Sequence, residues 1–152
     1  MIYISHRGNL RGAQPEDENN PDYLAHAMEQ RYRCEADLWV TDKGYWLGHD
    51  EPQYKADPQW LLDYRDRLVL HCKNAEALAS LRSVGAGFNY FWHQEDDYTL
   101  TSIGWIWAYP ERPAPKVRPN LSITVALGEG YPWEEEGFAG ICSDYIEGYR
   151  HD

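Results

Sequence analysis

Apolar and polar positions alternate with a period of two at the start of the chain, so that Ile2, Ile4 and His6 share one face of a strand over residues 2–6. A second alternating run starts at Arg33, with Ala36 and Leu38 on one face and Glu35 and Asp37 on the other. Thr41-Asp42-Lys43-Gly44 then reads as a turn, after which Tyr45-Trp46-Leu47-Gly48 leads back to His49. Between the two strands lies a polar loop of turn formers over residues 9–21. The period then lengthens. Asn20 is placed to cap a helix with Pro21 in its first turn and Tyr23, Leu24, Ala27 and Met28 at helical spacing. Asp57-Pro58 repeats the signal ahead of Trp60, Leu61 and Tyr64. Asn74 opens a third helix over residues 75–84, with Ala75, Leu78, Ala79 and Leu81 facing the core and Gly85-Ala86-Gly87 ending it.

Further strands are predicted over residues 68–73, 88–93, 104–109, 121–127 and 140–146, with residues 99–103 as a brief connection and 133–138 as a short helix at most. Strand, helix and strand in this rhythm indicate parallel pairing. Six or seven parallel strands, with very short helices in the C-terminal half, imply an α/β chain built as a reduced barrel. Residues 111–119 carry three prolines together with Glu111, Arg112, Lys116 and Arg118. Such a stretch cannot form a regular ladder and is predicted to be an exposed loop over the barrel mouth.

Composition narrows the partners. A formal charge of −11 over 152 residues argues against a nucleic-acid binder, which needs a basic stripe to displace counterions. It does not argue against a small phosphate-bearing substrate, whose field is set by the nearest cations. The acidic clusters Glu16-Asp17-Glu18, Glu95-Asp96-Asp97 and Glu134-Glu135-Glu136 read as solvated loops or helix starts. No apolar run approaches the roughly 20 residues of a transmembrane segment, and the chain opens directly on a strand, so a cytoplasmic location is expected. Cys34, Cys72 and Cys142 fall inside predicted strands and are odd in number, which favours buried free thiols over a disulfide framework. Alternation also turns Cys34 and Cys72 away from the neighbouring polar residues, which disfavours a zinc site on cysteine.

The chemistry-bearing residues gather near strand ends. Glu35 and Asp37 on one face repel each other unless a cation or a proton lies between them, and a hard divalent ion is the simplest resident, with structural pairing to Arg33 or Lys43 as the alternative. His71 and Lys73 share a face, and a lysine inside a barrel mouth is costly without an anion. His93 suits a packing or loop role as well as a substrate contact. Trp105, Trp107 and Tyr109 read as core or pocket wall, and Asp144 as a rim residue.

Taken in order, His6-Arg7-Gly8, Glu35-x-Asp37, Thr41-Asp42-Lys43-Gly44 and Gly48-His49-Asp50 resemble the glycerophosphodiester phosphodiesterase and phosphatidylinositol-specific phospholipase C-like superfamily. Residues 68–73 are similar to that superfamily's third strand: Lys73 matches, while His71 stands where an acidic metal ligand is usual. Residues 140–145 resemble its closing strand. The resemblance implies a single PLC-like phosphodiesterase domain over residues 1–152, a TIM-type barrel cut down from the usual length of about 250 residues. It implies a metal-dependent phosphodiester hydrolase, or a cyclising phosphodiesterase, acting on a small glycerophosphodiester-like or phospholipid-headgroup-like substrate. His6 and His49 would be the acid/base pair, with Asp50 orienting His49, while Arg7 and Lys73 would bind phosphate. Glu35 and Asp37, with His71, would hold the metal. That ion is magnesium or calcium by resemblance, and the imidazole of His71 admits manganese or zinc. Larger members carry an insertion after the His-Asp pair for which there is no room here, so glycerol specificity is not implied. The alternative is a phosphate-ligand binding protein that has lost turnover; His71 and the missing insertion favour it, and retention of both histidines opposes it.

Overall fold

The computed structural model describes residues 1–116 and 121–151. In chain order the elements are β1 (Ile2–His6), α1 (Pro21–Glu29), β2 (Arg33–Thr41), β3 (Gly44–Leu47), β4 (Tyr54–Ala56), α2 (Pro58–Asp63) and β5 (Leu68–Cys72). They continue with α3 (Ala75–Val84), β6 (Asn89–Phe91), β7 (Tyr98–Leu100), β8 (Ile106–Ala108), β9 (Ser122–Ala126), β10 (Gly140–Ser143) and α4 (Ile146–Tyr149).

The first three helices start where their capping side chains dictate. Asn20, Asp57 and Asn74 each accept a hydrogen bond from a first-turn amide, those of Asp22, Gln59 and Ala77 at 2.9, 2.7 and 3.1 Å. Proline follows the cap in α1 and α2, and Gly85 ends α3 in the left-handed conformation.

Among the described residues seven strands run parallel in the spatial order β6-β5-β2-β1-β10-β9-β8. The long β2 serves two partners on one side, pairing with β1 and then, from Leu38, with the antiparallel hairpin strand β3, on which β4 adds, while β5 takes its other side. Alternation sorts the apolar side chains into layers. Ile4, Val69, Phe91, Trp107, Ile123 and Cys142 fill the concave side of the curled sheet. Cys34, Ala36, Leu38, Leu68, Leu70 and Cys72 face outward beneath α1, α2 and α3. Among the described residues no ladder joins β6 to β8. The seam between them is bridged by Ser102, whose amide donates to the Tyr90 carbonyl at 2.8 Å and whose hydroxyl accepts from the Tyr90 amide at 3.0 Å, and by the stack of Phe91 on Trp107 at 4.8 Å.

Several expectations are corrected. Residues 99 and 100, predicted as part of the connection 99–103, belong to β7, antiparallel to β8, and the turn between them carries Ser102 to the seam. The last strand ends at Ser143 instead of residue 146, because the chain turns there into α4, which the sequence reading missed. Within the stretch expected to be a short helix at most, residues 133–137 are turns. The proline-rich loop is described only to Lys116. Within it Arg112 pairs with Asp97 at 2.6 Å and Ala114 packs on the outer cluster containing Trp133; the part with Arg118 and Pro119 lies outside the described residues.

Candidate functional site

Parallel strands end together, and the C-terminal ends of β1, β2, β5 and β10 bring polar side chains to one mouth of the curled sheet. His6 ends β1, and Gly8 then turns the chain with φ +97°, its Cα so close to Tyr23 that a Cβ would stand 2.5 Å from the ring. Arg7 itself takes φ 55°, a strained value for a residue with a side chain. The turn aims the guanidinium back across β2, where Arg7 Nε lies 3.0 Å from Asp37 Oδ2 and Nη1 3.2 Å from Glu18 Oε2.

Asp37 is fully buried and is the hub. Its Oδ2 accepts from Asn19 Nδ2 at 2.9 Å, its Oδ1 lies 3.2 Å from His71 Nδ1 and 3.7 Å from Lys73 Nζ, and its own amide donates to Asn19 Oδ1. Burial opposes its ionisation, but the neighbouring His71 ring, the Arg7 charge and the Asn19 hydrogen bond outweigh that cost and hold the carboxyl far below the usual range. Glu35, two residues away on the same face, is pushed the other way by burial and by the Asp37 charge. One Glu35 oxygen is 3.8 Å from His71 Nδ1, and the other is 3.8 Å from His6 Nε2.

His6 Nδ1 lies 2.7 Å from Asp144 Oδ1, and Asn9 Nδ2 donates to the same oxygen at 2.8 Å. Burial disfavours the imidazolium, yet the Asp144 bond and the Glu35 charge raise the His6 pKa above its ordinary value. Because those bonds hold Asp144 as a carboxylate in turn, Nδ1 is the donor and a neutral His6 presents its Nε2 lone pair to the mouth.

Glu35, Asp37 and His71 place one donor atom each within 4.8 Å of one another. Buried Glu35 Oε2 and Asp37 Oδ1 have no hydrogen-bond partner among the described residues, a state costly for carboxylate oxygens and relieved by a cation. The donor set therefore fits a divalent metal.

Thus the structure brings together His6, Arg7, Glu35, Asp37, His71 and Lys73. His49 stands apart from their contacts. The preceding Gly48 is tied to the same end of β2, its amide donating to the Asp37 carbonyl at 3.1 Å. The His49 ring is 46 % exposed, and its one partner among the described residues is Asp50, at 2.8 Å. Arg7 and Lys73, expected to bind phosphate, both lie against Asp37 at this mouth. Glu18, expected in a solvated cluster, is half-buried between Arg7 and Asn9, unlike its exposed neighbours Glu16 and Asp17. Sequence reasoning missed Asn9 and Asn19, both buried and each holding a site carboxylate. Their one signal was position in the loop after the first strand, where asparagine is also an ordinary turn former.

No family model matches the sequence, and no curated protein matches it. Among solved structures the chain is similar to a protein from Galdieria sulphuraria provisionally assigned as a glycerophosphodiester phosphodiesterase. The TM-score is 0.51 at 13 % identity, over 97 % of this chain and 96 % of that one. At that identity the likeness is one of fold: the two chains share, nearly end to end, a mixed α/β curled sheet of partial TIM-barrel type.

Proposed function

We propose that the chain is a metal-dependent phosphodiester hydrolase, or a cyclising phosphodiesterase, acting on a small glycerophosphodiester-like or phospholipid-headgroup-like substrate. The observation that carries the reading is the meeting of a carboxylate-held histidine, His6, with the Glu35, Asp37 and His71 donor cluster at one mouth. The fold likeness to a protein provisionally assigned as a glycerophosphodiester phosphodiesterase supports it.

Glu35, Asp37 and His71 would hold a divalent ion, which would supply Lewis-acid polarisation of a phosphoryl oxygen. His6 acts as the base: Asp144 fixes Nδ1–H, and Nε2 takes the proton from the attacking water or from a hydroxyl of the substrate. Asp144 is a positioning residue in this scheme, and Asn9 positions Asp144. His49, held by Asp50 and open to solvent, gives a proton to the leaving alkoxide. Lys73 Nζ and Arg7 lie beside the cluster and offset charge developing on the phosphoryl oxygens.

The second reading is a phosphate-ligand binding protein without turnover. It is favoured by His49, which lies exposed beside Asp50 and apart from the contacts of the Glu35, Asp37 and His71 cluster, so that the second acid/base group is not held at the site. Turnover separates the two. In a screen of glycerophosphodiesters, phosphoinositides and lysophospholipids with added divalent ions, the enzyme reading expects turnover. It also expects His6→Asn to lower kcat by about 10²–10⁴ with little change in affinity. Asp144→Asn should shift the pH profile of kcat/KM. Metal-dependent binding without turnover, equal in wild type and His6→Asn, would select the binding protein.

A further inference from the structure

The histidine in the donor cluster is locked in one tautomer and one orientation. His71 Nε2 lies 2.8 Å from the carbonyl oxygen of His93, and since a carbonyl only accepts, Nε2 carries the proton. The lone pair of the neutral ring is then on Nδ1, the atom that faces Asp37 Oδ1 at 3.2 Å and Glu35 Oε1 at 3.8 Å. The ring plane is fixed as well. His71 stacks on Phe91 with centroids 4.9 Å apart and planes at 11°, and Phe91 stacks on Trp107. A metal-ligating histidine is commonly held this way, its second nitrogen donating to a carbonyl or carboxylate.

The oxygen ligands are few. Asp37 Oδ2 is occupied by Asn19 and Arg7, which leaves the Glu35 carboxylate, Asp37 Oδ1 and His71 Nδ1 as the donors that converge. Calcium takes about 6–8 oxygens, and magnesium prefers an octahedron of oxygens with several waters retained. Imidazole nitrogen adds little for either ion, whereas it is a strong ligand for the later first-row divalent ions.

We propose that this centre is built for a later first-row transition ion of the cobalt-to-zinc kind, with His71 Nδ1 as a preorganised ligand and the His93 carbonyl as its positioning group. This rests on the metal-dependent reading above and goes further by naming the class of ion and the atom that selects it.

The test uses Co²⁺, Zn²⁺, Mg²⁺ and Ca²⁺ with the intact chain and needs no substrate. In wild type loaded with Co²⁺, proton NMR should show a hyperfine-shifted, exchangeable resonance from His71 Nε2–H, absent in His71→Glu. Calorimetry should show the Co²⁺ over Mg²⁺ affinity ratio falling at least about tenfold in His71→Glu, through weaker Co²⁺ binding, stronger Mg²⁺ binding or both. Circular dichroism checks that the variant folds, and the wild-type resonance is read whether or not it does. Mg²⁺ bound at Glu35 and Asp37 with no such resonance in the Co²⁺ form, or an unchanged ratio in a folded His71→Glu, would overturn the selectivity and leave the metal-dependent reading standing. Absence of binding by all four ions would overturn both.

Discussion

Asp37 and Glu35 sit two residues apart on one strand face, and their surroundings make them opposites. Asp37 has Asn19, Arg7, His71 and Lys73 around it, while Glu35 has its neighbour's negative charge and two histidines at 3.8 Å. Removing one partner of a buried ionic network typically costs 3–5 kcal/mol because the others are left uncompensated. In metal-free protein Asp37→Asn is therefore expected to lower stability by about 3 kcal/mol, read as a fall in the urea midpoint. Glu35→Gln removes a charge that burial and Asp37 both disfavour, so it should leave that midpoint unchanged or raise it while removing metal binding. A residue kept against stability is one kept for function. Glu35→Gln destabilising the metal-free protein as much as Asp37→Asn would make Glu35 a structural ion instead.

At the level of elements, Asn74 shows how a cap positions chemistry. Its Oδ1 accepts from Ala77 N at the start of α3 and from Val40 N in β2 at 3.2 Å, while Nδ2 donates to the Val40 carbonyl at 2.8 Å. One side chain thus caps a helix and clamps β2 beside Lys73. Loss of a cap alone costs about 1 kcal/mol. Asn74→Ala also orphans two half-buried backbone groups of β2, so the expected loss is about 2–3 kcal/mol by chemical denaturation. Asn74→Asp, which keeps the acceptor, should recover part of it. The cap was legible in the sequence because an asparagine before an alternating-to-helical change of period has few other roles, and the same holds for Asn20 and Asp57. The carboxylates and histidines at strand ends were legible because period-two alternation fixes which side chains share a face. The short β7 and α4 were not, because elements of three or four residues carry too few periods to register. Nor were the partners of Arg7, since which carboxylate a guanidinium meets depends on the turn at Gly8 and on a loop folding back from residue 18, neither of which has a periodicity to read.

For the molecule as a whole, the sheet is wrapped by hydrophobic layers on both sides, and each layer holds cysteine. Cys34 and Cys72 lie outward beneath the helices, and Cys142 lies inside the curl. All three are buried and free. No helix among the described residues is long and apolar enough to cross a membrane. Burial pushes the Cys34 and Cys72 thiols up to about 12 and Cys142 well above its ordinary 9.0. A thiol whose pKa is higher folded than unfolded adds stability that is fully present below pH 9 and is lost as pH rises toward the folded value, because the unfolded chain releases its proton first. Each such group steepens the loss by up to about 1.4 kcal/mol per pH unit, so three together reach about 4 kcal/mol per unit. Equilibrium urea denaturation under reducing conditions should therefore show a nearly flat stability from pH 7 to 8.5 and a steep decline from pH 9 to 11. In Cys34→Ala/Cys72→Ala the alkaline slope should fall by about two-thirds, even though the variant starts from a lower stability after losing two buried sulfurs. An unchanged slope in that variant would mean that the decline comes from other groups, with Tyr131, raised to about 12 by burial and by its bond to Glu136, the first to test by Tyr131→Phe.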